Sequence, residues 1–198
     1  MILADKHDTR CHISTTKVQH GGEITMRKVI FGGANTLDNY IAGKDDSIDW
    51  IRHSKEANEI LKDYWKRIDT EILGRRTYEV AMKSGGGVGY GGIKTYVCSR
   101  TLKKIPGKKV ELAADAVSLV KRLKAEAGKD IIVMGGSLIG KSLFEAGLID
   151  ELGVNIHPVL LGSGIPLFAE MERRIDLELR DCKQLKNGCV VLTYDVTY

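Results

Sequence analysis

Apolar segments of strand length alternate with amphipathic segments of helical period over most of the chain, and this alternation restricts the fold more than any other feature. Short apolar runs predict strands at residues 28–34, 70–73, 94–98, 109–112, 131–134 and 152–156. Helices are predicted between them: one begins near Ser54, one begins at Arg76, one extends from Asp115 to Gly128, and one ends at Gly147. The alternation predicts an α/β fold with a mostly parallel central sheet flanked by helices.

Helical spacing also indicates which helix faces are buried. In the first helix the apolar residues recur at i, i+3, i+4, i+7, i+8 and i+11, at Ala57, Ile60, Leu61, Tyr64, Trp65 and Ile68. In the helix that begins at Asp115, the expected apolar face consists of Val117, Val120, Leu123 and Ala127. Each of these faces is expected to pack on the sheet.

The last segment of the chain reads as an antiparallel hairpin. Residues 176–185 and 189–198 flank Lys186-Asn187-Gly188, and a two-residue Asn-Gly loop is expected. This loop would place Cys189 opposite Lys186 and Cys182 opposite Thr193, so the two sulfurs would be roughly 13 Å apart, beyond disulfide reach. Free thiols, with no apolar leader segment, predict a cytoplasmic protein.

Length and composition are those of a globular protein with one domain. The chain has 198 residues, of which 43% are hydrophobic and 28% charged, with a net charge of +4. Residues 1–25 have no apolar periodicity and are expected to be a disordered extension, so that the domain occupies residues 26–198. A metal site in the extension is the alternative, and its ligands would be His7, Cys11, His12 and His20. The sequence contains no run of about 18 apolar residues, so no membrane span is predicted.

A glycine-rich motif follows the predicted strand 131–134. Residues 135–142 fit the pattern G-x-x-x-x-G-K-[ST] of a phosphate-binding loop, in which Lys141 and Ser142 would serve the phosphates and Mg²⁺. The following helix is short, and too few residues remain for the rest of such a nucleotide hydrolase. The preferred interpretation is simpler: Gly135 and Gly136 let the backbone approach a pyrophosphate at a helix N-terminus.

Positive charge is concentrated at two other predicted strand ends. Arg75 and Arg76 follow Gly74 at the start of a helix, where cations are unfavourable unless an anion is bound. Ser99 and Arg100 follow the strand 94–98 and could complete the same anion site. RNA is the rival polyanion, and the scarcity of aromatic residues beside these charges argues against it. A nucleophile motif of a hydrolase is absent from the sequence, as is the zinc-deaminase motif, which favours chemistry supplied by a cofactor.

Four strings in the same order resemble the dihydrofolate-reductase-like family, which includes the C-terminal reductase domain of the riboflavin-biosynthesis deaminase–reductase. They lie at residues 74–79, 133–137, 145–152 and 157–168, and the likeness covers residues 26–198. The resemblance implies the dihydrofolate-reductase-like fold, NADPH as hydride donor, and a homodimer. Its cofactor residues correspond here to Ala34, Ile41, Gly74, Arg75, Arg76, Thr77, Ser99, Arg100, Gly135, Gly136, Ser137 and Leu138.

These positions have different roles in the family. The turn at residues 74–77, with Ser99 and Arg100 nearby, is similar to the one that holds the adenosine 2′-phosphate and the pyrophosphate. The turn at residues 135–138 is similar to the second pyrophosphate turn, and Ala34 and Ile41 match positions beside the nicotinamide. A double arginine agrees with NADPH rather than NADH, because only NADPH carries the 2′-phosphate.

The substrate side departs from the family pattern. The family's Ser-Leu-Asp-Gly loop is Thr-Leu-Asp-Asn here, which retains Asp38. Dihydrofolate reductases carry an acid about five residues after the loop tryptophan; counted from Trp50, that slot holds Lys55, and Glu56 follows it. Asp38 and Asp49 are therefore the predicted catalytic acids, with Trp50 and Glu56 predicted on the substrate side. Turn-capping and helix-entry roles are the alternatives for Asp38 and Asp49.

Together these observations predict a cytoplasmic, NADPH-dependent reductase that transfers hydride to a C=N or C=O bond of a small heterocycle. A pterin and a ribosylamino-pyrimidine are the expected substrate classes, and no metal, nucleic acid or membrane is expected as a partner. The alternatives are a nucleotide-binding protein without turnover and the phosphate hydrolase suggested by the Gly135–Ser142 pattern.

Overall fold

The computed structural model describes residues 26–85, 88–105 and 110–198. The predicted extension at residues 1–25 lies outside the described residues, as do residues 86–87 of the glycine-rich segment and Lys109 of a predicted strand. The strands are β1 (Val29–Thr36), β2 (Tyr40–Ala42), β3 (Ile68–Gly74), β4 (Lys94–Cys98), β5 (Val110–Ala113), β6 (Asp130–Met134), β7 (Glu151–His157), β8 (Ile165–Pro166), β9 (Asp176–Gln184) and β10 (Val190–Thr197). The helices are α1 (Lys55–Lys66), α2 (Arg75–Lys83), α3 (Ala116–Lys124) and α4 (Ser137–Glu145), with a 3₁₀ turn at Tyr90–Gly92.

Eight strands form one sheet in the order β5-β4-β3-β6-β1-β7-β10-β9. In the series β5-β4-β3-β6-β1-β7 each strand is parallel to the next. β10 is antiparallel to both β7 and β9. This confirms the predicted α/β fold, the mostly parallel sheet and the antiparallel C-terminal hairpin. Parallel neighbours bring the carboxyl ends of β1, β3, β4 and β6 to the same edge of the sheet, where ligands of such folds bind.

The sheet is covered on both faces because its central strands β1 and β6 carry apolar side chains on both sides. On one face, Phe31 packs edge-on against Phe144 of α4, with ring centroids 5.3 Å apart, and Leu119 and Val120 of α3 join the same cluster. On the other face, Ile30 and Ile132 pack with side chains of α1. Gly140 of α4 lies directly over Phe31: a methyl group added there would meet the ring at 2.7 Å. Glycine at this position therefore serves close helix–sheet packing.

Two helix predictions need correction at their ends. Ser54 and Asp115 are the N-caps of α1 and α3, as predicted, and their side chains accept from backbone N–H groups. α3 ends at Lys124 rather than beside Gly128, and its buried face consists of Ala116, Leu119, Val120 and Leu123. The predicted face is confirmed at Val120 and Leu123, which are buried, and at Val117, which is partly buried against the same cluster. It was wrong at Ala127, which lies beyond the end of α3 and is exposed. In α1, Leu61 is 46% exposed, and Ile68 belongs to β3.

The hairpin register differs by one residue from the prediction. Cys182 pairs with Leu192 instead of Thr193. The N–H of Leu185 donates to Cys189 O at 2.8 Å, so the connection has three residues, and Gly188 takes the left-handed φ of +86°. The prediction of free thiols is nevertheless confirmed for Cys182 and Cys189. Among the described residues, no helix is long and apolar enough to cross a membrane.

Candidate functional site

Two glycine turns converge at the carboxyl edge of the sheet. β3 and β6 are neighbours with Leu73 opposite Met134, so the turn into α2 and the turn into α4 leave the sheet side by side. A methyl group added to Gly136 would lie 3.8 Å from the backbone N and Cα of Gly74. Added to Gly135, it would lie 3.1 Å from the hydroxyl of Thr77. The structure thus brings together the two turns that the sequence predicts to share one ligand.

Both turns present helix N-termini that the protein leaves uncapped. Gly74 is the N-cap of α2 and Gly136 the N-cap of α4, and neither has a side chain to accept from the first N–H groups. Gly135 and Gly136 have φ of +61° and +79°, which favours glycine strongly. Free N–H groups together with the helix dipole suit an anionic ligand that passes between the two turns.

Two arginines add fixed positive charge to this edge. Arg75 and Arg76 form the first turn of α2, which contains no acid of its own. The Arg75 guanidinium donates to the Thr101 hydroxyl at 3.2 Å. Arg76 donates from Nε to Asp46 Oδ1 at 2.6 Å. Both side chains are at least half exposed, so an incoming anion can reach them.

A third turn lies next to the first two. β4 pairs with β3, with Cys98 opposite Gly74, and Ser99 and Arg100 follow directly. The Ser99 hydroxyl accepts from the N–H groups of Thr101 at 3.2 Å and Leu102 at 3.0 Å and so holds the turn together. Arg100 is exposed. All predicted phosphate-binding residues therefore lie at the ends of β4, β3 and β6, in that order along one edge.

The residues predicted beside the nicotinamide lie next to the second glycine turn. Ala34 lies near the end of β1, which pairs with β6. The side chain of Ile41 approaches Gly135, since a methyl group on that glycine would lie 3.8 Å from Ile41 Cδ1. Ser137 is the first residue of α4, and Leu138 after it is 74% exposed. An apolar surface thus continues from the phosphate turns toward β1.

The acids predicted for the substrate side do not come together. Asp38 accepts from the Thr36 hydroxyl at 2.5 Å and from the N–H groups of Gly162 at 2.8 Å and Leu161 at 3.3 Å. The Thr36 hydroxyl, followed by these N–H groups, holds the pKa of Asp38 below its usual range. A low pKa and three donors favour bracing of the turn over proton donation.

The other two acids point to different parts of the molecule. Glu56 accepts from the N–H of Lys186 at 2.9 Å, so its carboxylate anchors the hairpin loop. Asp49 is exposed, whereas Trp50 beside it is 8% exposed and packs edge-on against His157 with centroids 5.2 Å apart. Of the predicted substrate-side residues, Trp50 alone contributes a buried surface.

Several buried polar atoms near the ends of β1 and β7 lack hydrogen-bond partners among the described residues. They are Asn35 Oδ1, Trp50 Nε1, Asn155 Oδ1 and His157 Nε2. Asn155 lies opposite Ala34, and His157 opposite Thr36, across the pairing of β1 with β7. Asn155 and His157 were missed by our motif search. The available signal was the placement of Glu151, Asn155 and His157 on one face of β7, in alternation with Leu152, Val154 and Ile156.

His157 fixes the loop that carries Trp50. Its Nδ1 accepts from the N–H of Arg52 at 3.1 Å and lies 3.3 Å from Cys189 Sγ. Because Nδ1 accepts, the neutral ring carries its proton on Nε2. Burial, with smaller contributions from Arg52 and His53, lowers the pKa of His157. Protonation would remove the acceptor for Arg52 and place a charge in a buried position.

We expect the free energy of unfolding to fall as the pH drops below about 6.5, the ordinary histidine pKa. The unfolded state then binds a proton that the folded state, with its lowered pKa, does not. The difference in melting temperature between pH 7 and pH 5 should shrink in His157→Gln. His53→Gln, which replaces the exposed neighbour, is the matched control and should retain the wild-type difference. An equal pH response in both variants would contradict this role of His157.

Two other parts of the molecule, the phosphate-loop pattern and a basic cavity, are less suited to binding a phosphorylated ligand. Residues 140–142 of the phosphate-loop pattern lie inside α4: Lys141 pairs with Glu145 at 3.6 Å, and the Ser142 hydroxyl donates to Ile139 O. A basic cavity of about 580 Å³ lies at the opposite edge of the sheet. Arg27 and Arg67 in its wall already pair with Asp69 and with Asp130 and Glu151.

Comparison with known proteins agrees with this architecture. Residues 92–191 match the model of the RibD C-terminal domain. The chain is 30% identical over 183 residues to the Bacillus subtilis (strain 168) protein YyaP, across 86% of this chain and 96% of YyaP. This chain also superposes on the structure of a riboflavin biosynthesis protein from Shewanella sp. PV-4. The TM-score is 0.76 at 25% identity, over 86% of this chain and 99% of that one.

A dihydrofolate reductase has the same fold. The Enterococcus faecalis enzyme, in a complex with NADP(H), superposes with a TM-score of 0.59 at 17% identity, over 86% of this chain and 97% of that one. The likeness supports the prediction of a dihydrofolate-reductase-like fold. The comparisons thus agree on a reductase-type fold.

Proposed function

The chain belongs to the RibD C-terminal domain family, and we propose that it is an NADPH-dependent reductase of a small heterocyclic substrate. The observation that carries the proposal is the convergence of the Gly74 and Gly135-Gly136 turns beside Arg75 and Arg76. One edge of the sheet thereby offers two uncapped helix N-termini and two exposed guanidinium groups. A phosphorylated dinucleotide needs this combination, because its pyrophosphate and its 2′-phosphate are both anionic.

The residues divide into three roles toward NADPH. Arg75 and Arg76, with Ser99 and Arg100 beside them, would hold the 2′-phosphate. The N–H groups at Gly74, Thr77, Gly135, Gly136, Ser137 and Leu138 would hold the pyrophosphate. Ala34 and Ile41 would flank the nicotinamide. When bound, NADPH supplies the hydride, and the protein contributes orientation and the exclusion of water.

The buried polar atoms without partners at the carboxyl ends of β1 and β7 belong to neutral side chains. Asn35, Trp50, Asn155 and His157 contribute neutral donors and acceptors, four of whose atoms are without partners among the described residues. The carboxylates of Asp38 and Glu56 are already occupied: Asp38 accepts from the Thr36 hydroxyl and from the N–H groups of Leu161 and Gly162, and Glu56 accepts from the N–H of Lys186. A neutral, planar heterocycle such as a pterin or an aminopyrimidine suits this lining. Water, or the exposed Asp49, would provide the proton that accompanies hydride transfer.

We also propose that the protein is cytoplasmic and forms a homodimer.

The test is NADPH oxidation measured with a panel of pterins, ribosylamino-pyrimidines and quinones. We expect turnover with at least one heterocycle and a preference for NADPH over NADH. In Asn155→Leu, which removes a polar group without adding charge, the KM for that heterocycle should rise while the dissociation constant of NADPH stays unchanged.

Two outcomes would contradict the proposal in different ways. Tight NADPH binding without turnover on any member of the panel would favour a nucleotide-binding protein that is not an enzyme. Failure to bind NADPH at all would exclude both functions. The matched control for Asn155→Leu is Asn58→Leu, which also replaces asparagine by leucine but at an exposed position of α1.

A further inference from the structure

Arg76 is held by a short turn between β2 and α1. Asp46 Oδ1 accepts from Arg76 Nε at 2.6 Å, and the carbonyl oxygen of Lys44 lies 3.4 Å from Nη2. Nε and Nη2 form one of the guanidinium edges that bind oxyanions in a bidentate manner. That edge is therefore already occupied by oxygen atoms of the protein itself.

The turn at residues 43–47 is shaped to present Asp46. The N–H of Gly43 donates to Ser47 O at 2.9 Å, and the N–H of Asp46 donates to Gly43 O at 3.1 Å. Asp46 has φ of +69°, in the left-handed region where few residues other than glycine, asparagine and aspartate occur. Its neighbour Asp45 accepts from the hydroxyl and the N–H of Ser47 instead. The two adjacent acids thus have different partners.

This contact provides Arg76 with an anion from outside α2, whereas Arg75 pairs with Glu79 of the same helix at 3.7 Å. The first turn of α2 carries two arginines and no acid, an arrangement that opposes the helix dipole. Asp46 compensates Arg76 from another part of the chain. A phosphate that arrives at Arg76 must either share the guanidinium with this carboxylate or displace it, and the two anions repel each other.

We propose that Asp46 is a cofactor-selectivity residue that competes with the 2′-phosphate for Arg76. The inference rests on the proposed function, since it takes the 2′-phosphate to bind at Arg75 and Arg76. Asp46 offsets the charge of Arg76 in the free protein and lowers the affinity for the phosphorylated cofactor.

The experiment compares Asp46→Asn with Asp45→Asn by isothermal titration calorimetry of NADPH, NADH and adenosine 2′-monophosphate. Asparagine keeps the shape and tolerates the left-handed backbone, so the change removes charge alone. We expect Asp46→Asn to bind NADPH and adenosine 2′-monophosphate roughly three- to fivefold more tightly, as loss of a half-exposed ion pair allows. NADH should change by less than about twofold, because it has no 2′-phosphate.

Asp45→Asn removes the same charge one residue away and should leave all three affinities unchanged. Unchanged or weaker NADPH binding in Asp46→Asn would overturn the proposal, and so would equal tightening of NADH or an equal effect of Asp45→Asn. Asp46→Gly, which also accepts this φ, is the second variant if the first unfolds. Failure of the wild-type protein to bind NADPH would instead overturn the proposed function, so the two failures are distinguishable.

Discussion

Replacement of both Arg75 and Arg76 by alanine is expected to weaken NADPH binding roughly 100-fold, since charge-assisted hydrogen bonds contribute about 1.5–3 kcal/mol each. NADH should weaken by less than about threefold, because it lacks the phosphate that the guanidinium groups would bind. Both side chains are exposed at the first turn of α2, and neither belongs to a core cluster, so the fold should tolerate the change. Dissociation constants from fluorescence titration of both cofactors provide the measurement.

Arg174→Ala is the matched control, because this arginine is exposed on the segment before β9 and pairs with Asp176 at 2.7 Å. It removes one positive charge without touching the carboxyl edge of the sheet. A smaller loss of NADPH affinity at raised salt is expected for the double variant than for the wild-type protein. Equal losses of NADPH and NADH in the double variant would show that the arginines do not read the 2′-phosphate.

The sequence was sufficient to predict the parts of the fold that depend on local apolar pattern. The central strands β1 and β6 carry apolar side chains on both faces and begin and end within a residue or two of their predicted positions. The N-caps at Ser54 and Asp115 were also predictable, because a capping hydrogen bond joins residues that are close in the chain. The location of both glycine turns at one edge of the sheet was also predictable, because ligands of such folds bind at the carboxyl ends of parallel strands.

Features that depend on approach between distant segments were not predictable. Glu56 was expected at the substrate, yet it binds the N–H of Lys186, which lies at the tip of the hairpin. Asp46 has no motif of its own, and its significance comes from contact with Arg76, thirty positions later. Gly140 matched a phosphate-loop pattern, although the structure shows it packed against Phe31. The hairpin register was also wrong by one residue, because an Asn-Gly pair fits a three-residue connection as well as the two-residue loop that was predicted.

Substitution of Gly136 by valine is expected to weaken the binding of NADPH and NADH alike. Gly136 has φ of +79°, where a β-branched residue is strained by about 1–2 kcal/mol. Its missing side chain also opens the space between the two turns, since a methyl group there would already be 3.8 Å from the backbone of Gly74. Valine would project further into the path that both cofactors need for the same pyrophosphate. Affinity should fall at least about tenfold for each, since a single lost contact to a charged group accounts for that much.

Gly147→Val separates this steric effect from backbone strain. Gly147 follows the other end of α4 with φ of +65°, and a methyl group added there would lie 3.9 Å from the ring of Tyr198. Both variants should lower the melting temperature by a similar amount because both force valine into the left-handed region. Only Gly136→Val should lose the cofactors. Together with the arginine pair, this gives two distinct signatures at one edge of the sheet: a variant that discriminates NADPH from NADH, and a variant that does not. If Gly136→Val lost NADPH and kept NADH, the pyrophosphate would have to pass elsewhere, and the two turns would not share one ligand.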